Sequence, residues 1–336
     1  MSELTWSEIP TLRRPLLLVA LEGVYDAAEV ATSSVRWIRD RNNAETVAEI
    51  DPERFYNFTE ARPFIRLGDD GKRVIDWPNA TVDVVKTEDS RDLVVMTGVE
   101  PHLRWSTFAD HVVEIARRSG CEMVVTVGSM VAMVPHSRTF PVKGSTENPE
   151  LVKRLGLNSP TYEGPTSLAG VLNERLERSG LPVISLRVEV PHYVPSAPNP
   201  KAMRLLLRRL QLTTGVTVNY EELDSDVDEW EQRVTEAVDS DEDSHDYVQR
   251  LESQYDNEQE SLTTGEDLAA ELEAFLQNQE IVVATDEMVF EDSPSVDPPD
   301  DSAGIDDGAE VEAETKDEPI AEDPAPSDPV VDDQND

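Results

Sequence analysis

Ser129, His136, His192 and Glu100 are the residue types from which a hydrolase is built: a hydroxyl nucleophile, an imidazole base and an orienting carboxylate. Such chemistry needs the three groups in mutual contact. The strained G-x-S-x-G elbow that usually presents the serine is missing, because Gly128-Ser129 runs into Met130-Val131. Anion binding is a second possibility. Arg138 and the loop amides around it could hold a carboxylate or phosphate, and residues 166–170 open a helix whose first amides favour negative charge. The five histidines are dispersed, with no His-Glu-x-x-His and no pair at helical spacing. Neither a Walker loop nor a GxGxxG sequence occurs. The expectation is therefore no metal, no nucleotide and no other cofactor, and no residue is assigned as catalytic.

These side chains matter only if the fold gathers them. In an open α/β sheet, ligands bind beyond the carboxyl ends of the strands. Four segments are expected there: 22–26 with Tyr25 and Asp26, 98–102 with Gly98, Glu100 and His102, 128–138 with Gly128, Ser129, His136 and Arg138, and 191–193 with His192 and Tyr193. Thr166 and Ser167 complete the candidate crevice. The plainer reading is that these are turn glycines and loop residues fitted to the fold. A geometric test separates the two: the hydrolase reading fails unless Ser129, a histidine and Glu100 converge in one pocket.

The elements that would position them are legible as periodicities. Residues 16–21, LLLVAL, form a strand-sized apolar run. Asp26 with Glu29 three residues on has the spacing of a capping box, so a helix is predicted from there to about Arg41. Residues 44–50 form a strand. Residues 63–67 and 73–76 flank Gly68-Asp69-Asp70-Gly71 as a hairpin, and 82–86 is expected to pair nearby. Residues 93–97 form a strand that Gly98 turns outward. Trp105, Phe108, Val112 and Ile115 mark a helix, and 123–127 completes a βαβ unit. Residues 130–134 form a further strand or buried loop, and 144–164 is expected to be irregular apart from a short helix near 150–154. A helix follows at 167–178, a strand at 181–190 and a helix opening at Asn199-Pro200 and ending at Gly215. Strands alternating with helices in this way give a three-layer α/β/α domain within residues 1–220.

Charge divides the chain. The whole carries −41, yet residues 1–220 hold 26 basic and 28 acidic side chains, so nearly all the excess lies beyond residue 220. That extension should repel nucleic acid and anionic membranes. Leu223, Val227, Trp230, Val234 and Val238 form one apolar stripe after residue 220. Tyr247, Leu251 and Tyr255 form a second, and Leu268, Leu272, Phe275 and Leu276 a third. Residues 221–285 therefore read as a helical extension, which either covers the body or forms a contact between copies. Residues 286–336 are acidic, with scattered apolar residues, and are expected to be disordered. Arg204, Arg208 and Arg209 form a solvated helix face or a dock for that tail. With one cysteine, no apolar leader in MSELTWSEIP and no run long enough to span a bilayer, a cytoplasmic location and no membrane partner are expected.

Taken in order, LEGVYDAAEVA at 21–31, ARPFIRLGDDG at 61–71, DLVVMTGVEPHLRW at 92–105, VVTVGSMVAMVPHSR at 124–138, GPTSLAGVL at 164–172 and VPHYVPSAPNPKA at 190–202 resemble the proteasome assembly chaperone 2 family in its actinobacterial branch. The likeness covers about residues 10–280 and rests on the order and spacing of the segments. It implies an α/β/α fold related to nucleoside phosphorylases and peptidyl hydrolases. It also implies homo-oligomeric assembly and a chaperone-like, protein-binding role without an established reaction, with a proteasome-related partner by analogy. Some family members dock on proteasome rings through a C-terminal hydrophobic–Tyr–any-residue tripeptide. Asp333-Gln334-Asn335-Asp336 does not provide it, so docking by that route is not expected. The alternative is a phosphorylase- or hydrolase-like enzyme, or a small-anion sensor, using the strand-end crevice.

Overall fold

The computed structural model of the chain describes residues 3–262. Its elements are, in order, Leu4–Trp6 (β1), Leu16–Glu22 (β2), Val30–Asp40 (α1), Ala44–Ile50 (β3), Phe64–Leu67 (β4), Arg73–Asp76 (β5), Ala80–Val85 (β6), Leu93–Val99 (β7) and Trp105–Arg118 (α2). Then follow Met123–Ala132 (β8), Val142–Ser145 (β9), Pro149–Leu155 (α3), Leu168–Arg178 (α4), Val183–Pro191 (β10), Pro200–Thr214 (α5), Asp224–Asp239 (α6) and Glu242–Leu262 (α7). The predicted third stripe, 268–276, and the predicted acidic tail, 286–336, lie outside the described residues.

Eight strands make one sheet in the order β1-β3-β6-β7-β2-β8-β10-β9. Strands β7, β2, β8 and β10 run parallel at its centre, and the antiparallel β1, β3, β6 and β9 flank them. Because side chains alternate across a strand, the apolar run of β2 feeds both faces. Leu16 and Leu18 join α1 and α5 in one core, while Leu17 and Val19 join α2 and α4 in the other. Two helical layers thus cover one sheet, which is the three-layer α/β/α arrangement the alternation predicts.

Several local readings need correction. Residues 130–134 are not a separate element: β8 continues to Ala132 because β10 pairs with it residue for residue from Val124–Val183 to Ala132–Pro191. Strands β7 and β8 are parallel as expected, but β2 lies between them. Gly98 does not turn the chain outward. It sits inside β7, where a Cβ would lie 2.1 Å from the Asn79 carbonyl oxygen, so the glycine serves the close approach of β6. Residues 82–86 pair with β3 and β7 rather than with the hairpin. The buried carboxylate of Asp83 there accepts from Thr46 Oγ1 at 2.6 Å. The stretch expected to be irregular, 144–164, opens on the last two residues of β9, and α3 lies where a short helix was expected.

The capping box is also replaced by a longer device. Residues 27–29 make a 3-10 turn with Ala28 and Glu29 at positive φ, so α1 starts only at Val30. Asp26 reaches over that turn, accepting from the amides of Ala31 at 2.8 Å and Thr32 at 3.1 Å and from the Thr32 hydroxyl at 2.5 Å. Glu29 returns no side-chain bond to Asp26 among the described residues.

The helices after residue 220 fold onto the body. Leu223, Trp230 and Val234 belong to the same core as α1 and α5, and Val227, Val238 and Tyr255 pack against it. Arg204 pairs with Asp224 at the start of α6, and Arg209 donates to the Leu155 carbonyl at 3.0 Å. Two of the three arginines considered as a dock for the tail are therefore engaged by the body itself. No helix among the described residues is long and apolar enough to cross a membrane.

Candidate functional site

The candidate residues fall into separate places rather than one crevice. The first is the turn after β2. Ser129 is fully buried and its hydroxyl donates to the Ala27 carbonyl at 2.8 Å, while its amide donates to Tyr25 O at 2.8 Å. With Asp26 capping α1, this pins the turn to β8. Burial pushes the Asp26 carboxyl upward, against the bonds from Thr32 and Ala31. Both residues are structural here.

The second place is the surface under α6 and α7. His136 is buried, and the Tyr193 hydroxyl lies 2.7 Å from both its amide and its Nδ1. One arrangement satisfies all these groups: Tyr193 accepts from the amide and donates to Nδ1, and Nε2–H donates to Thr235 Oγ1 of α6 at 3.1 Å. That requires a neutral ring, and burial together with nearby Lys201 holds its pKa below the ordinary imidazole value. His192 bonds Tyr247 of α7 at 2.9 Å, and Arg138 makes a two-pronged pair with Asp256 of α7 at 2.8 and 2.9 Å. The Lys201 ammonium donates to His136 O at 2.6 Å and pairs with Glu231 of α6. His136, Arg138, His192 and Tyr193 are thus anchors of the helical extension.

The third place is the end of β7. His102 Nδ1 accepts from the Asn57 amide at 3.3 Å, and Glu100 Oε2 accepts from the Val24 amide at 3.2 Å. Both line a hollow of about 500 Å³. Ser129, His136 and Glu100 each have these other partners, so no Ser-His-acid contact forms. The hydrolase reading assembled from them fails its geometric test.

A larger cleft lies between α4 and strands β8, β10 and β9, with a volume of about 590 Å³. Tyr25, Thr166 and Ser167 line it. Gly128 underlies it: a Cβ there would meet both the Arg187 Cγ and the Tyr25 carbonyl oxygen at 3.3 Å. Other polar groups of its lining, Glu147, Asn173, Glu177, Ser185 and Arg187 among them, were not among the candidates. The signal was present for Arg187, since β10 alternates in its second half. Glu147 sits in the stretch expected to be irregular, which hid the pairing of Ser145 with Ser185 that places it. Burial and the nearby Glu147 push the Glu177 carboxyl up to about 7. Among the described residues no group of three His, Cys, Asp or Glu is placed to hold a metal ion.

Comparison with known proteins identifies this architecture. The family model described as the PAC2 family matches residues 20–238. A PAC2 family protein from Streptomyces avermitilis is 36% identical, with 70% of this chain and 99% of that chain covered and a TM-score of 0.65. A proteasome-assembly chaperone homologue from Mycobacterium tuberculosis is 34% identical over the same shares of the two chains, with a TM-score of 0.63. A Corynebacterium glutamicum structure is 26% identical, covering 77% of this chain and 99% of that one, with a TM-score of 0.69. No curated protein matches the chain. With a matching model over more than half its length and relatives above 30% identity, the chain belongs to the PAC2 family.

Proposed function

We propose that the protein is a chaperone-like, protein-binding factor that works as a homo-oligomer in the cytoplasm, with the β4–β5 hairpin as the contact between copies. The observation that carries this reading is the exposure of that hairpin. Phe64, Ile65, Leu67 and Ile75, with Trp77 just after, are all exposed large apolar side chains. Strands β4 and β5 form a sheet of their own, leaving both outer edges unpaired among the described residues. A lone two-stranded hairpin is marginal in water, and open apolar edges invite a further strand or sheet face.

A second copy is the occupant the charges favour. Two chains of net charge −41 repel, but residues 64–76 balance Arg66, Lys72 and Arg73 against Asp69, Asp70 and Asp76. A locally neutral patch with both signs can meet its own image across a two-fold axis. A neighbour of the same kind is also present at the chain's own concentration, which a transient client is not. The apolar stripe of α6 is turned inward on the body, so it supports cover rather than contact.

The client follows by analogy from the Mycobacterium tuberculosis relative, described as a proteasome-assembly chaperone homologue. Several copies held together would offer several weak sites to assembling subunits at once. The test is capture of unassembled proteasome subunits, from the host of this protein, by the immobilised full chain. Retention of identified α- or β-type subunits is the expected result. Passage of all subunits through the column, with a folded bait, would sink the client assignment.

A further inference from the structure

The α4–β10 cleft has no part in the docking just described, yet it is furnished for a ligand. Ser185 is 7% exposed and lines the cleft, and its hydroxyl makes no hydrogen bond to any described residue. A hydroxyl of a mostly buried residue, reachable from a cavity of about 590 Å³ and with no partner among the described residues, is free to bond a polar guest. Arg187 lies in the same wall and makes no ion pair among the described residues. Its guanidinium stands over the Tyr25 ring at 5.9 Å, and Gly128 clears the space its stem crosses. At the other end Glu177 meets Glu147, whose amide donates to Glu177 Oε1 at 3.5 Å, with Glu174 beside them.

The sheet register puts these groups in a row. Arg187 and Ser185 lie on one face of β10, Ser185 is opposite Ser145, and Glu147 follows two residues after Ser145. Arg187 and Glu147 are therefore separated by on the order of 13 Å of backbone, with the serines between them. Long side chains reaching inward from both ends leave a gap of the length of a small bifunctional molecule. One end presents an unpaired cation and the other a crowded pair of carboxyls.

We propose that this cleft binds an amino-acid-type zwitterion, its ammonium end on Glu147 and Glu177, its carboxylate end on Arg187 and its middle against the Ser185 hydroxyl. Glu177 holds a proton up to about pH 7 because burial, then the neighbouring Glu147 and Glu174, disfavour its charge. The basic groups nearby are Arg187 and Arg178, and Arg178 is paired with Glu174. An arriving ammonium takes the place of that proton. Binding then releases a proton, and the affinity rises with pH across the window around 7.

Calorimetric titration of the full chain with L-lysine and with alanylalanine tests the proposal. Saturable binding of at least one probe in the millimolar range or tighter is expected. The affinity should be about tenfold lower at pH 6 than at pH 8. Glu177→Gln and Arg187→Gln should each weaken binding at least tenfold with the melting temperature retained, and Ser185→Ala should weaken it measurably as a check in which little else changes. Butylamine and acetate, which carry one end each, should bind at least tenfold more weakly than the two-ended probe. Absence of saturable binding by both probes overturns the proposal, as does binding that all three variants leave unchanged or that a one-ended probe matches. None of these outcomes depends on whether the hairpin joins copies.

Discussion

Replacing Trp230 by alanine is expected to cost about 3–5 kcal/mol of folding stability, the range for removing a large buried aromatic ring. Trp230 is 4% exposed on α6 and meets the ring of Phe140 edge-to-face at 6.2 Å. It belongs to the core shared by α1, α5 and the sheet. The ring is the largest side chain by which the helical extension is buried on the body; Val234, Val248 and Leu251 add smaller apolar contacts, and the rest are hydrogen bonds and half-exposed ion pairs such as Arg138–Asp256. Exposed pairs of that kind contribute about 1 kcal/mol or less each. The variant should therefore lose midpoint in urea and also be cut by protease in residues 224–262 before the body unfolds. A loss below about 1 kcal/mol would show that α6 does not rest on this ring.

Asp26→Ala is the second large effect. It strands the amides of Ala31 and Thr32 and leaves the Thr32 hydroxyl only the Glu29 carbonyl oxygen at 3.5 Å, and both residues are fully buried. Each buried donor left without a partner costs about 1–3 kcal/mol. Against that stands the relief of a carboxylate held in a buried place, which the upward displacement of its pKa reports. The donors win because two amides lose their acceptor outright and the hydroxyl keeps only a long bond, against one charge relieved, and a net loss of about 3 kcal/mol is expected. Asp26→Asn keeps an acceptor for the amides and should lose less than half as much. Denaturant curves for the two variants check this, and equal losses would mean that the carboxylate charge, not its hydrogen bonds, holds the turn.

What the sequence made legible follows from what is local. Continuous apolar runs and helical stripes depend on neighbours in the chain, so β2, β7, α2, α4, α5 and the apolar stripe of α6 could be read directly, while what that stripe packs on could not. Asn199 was read as a cap because its partner is three residues away, and its side chain does accept from the Ala202 amide at 3.0 Å. Asp26 was read as a cap at the wrong distance, since two residues at positive φ intervene and periodicity does not encode them. The candidate site depended on pairings distant in sequence. His136 and Arg138 carry the residue types of a binding site, but Thr235 and Asp256 claim them from about a hundred residues or more away. Conversely Arg187, Ser185 and Glu177 looked like ordinary strand and helix residues. Only the register of β9 on β10 and the packing of α4 bring them into one cleft.

The exposed hairpin was predicted as a hairpin, but its isolation from the main sheet was not, and on that isolation the proposed role rests. Sedimentation velocity of the full chain beside an Ile65→Asp, Leu67→Asp variant tests it most directly. Two carboxylates on one apolar face, repeated on each copy, would be buried without partners in any contact made there. The unaltered chain should sediment at a multiple of the single-chain mass and the variant as one chain with an unchanged melting curve for the body. A single-chain mass for the unaltered protein, or the same multiple for both, would contradict the account.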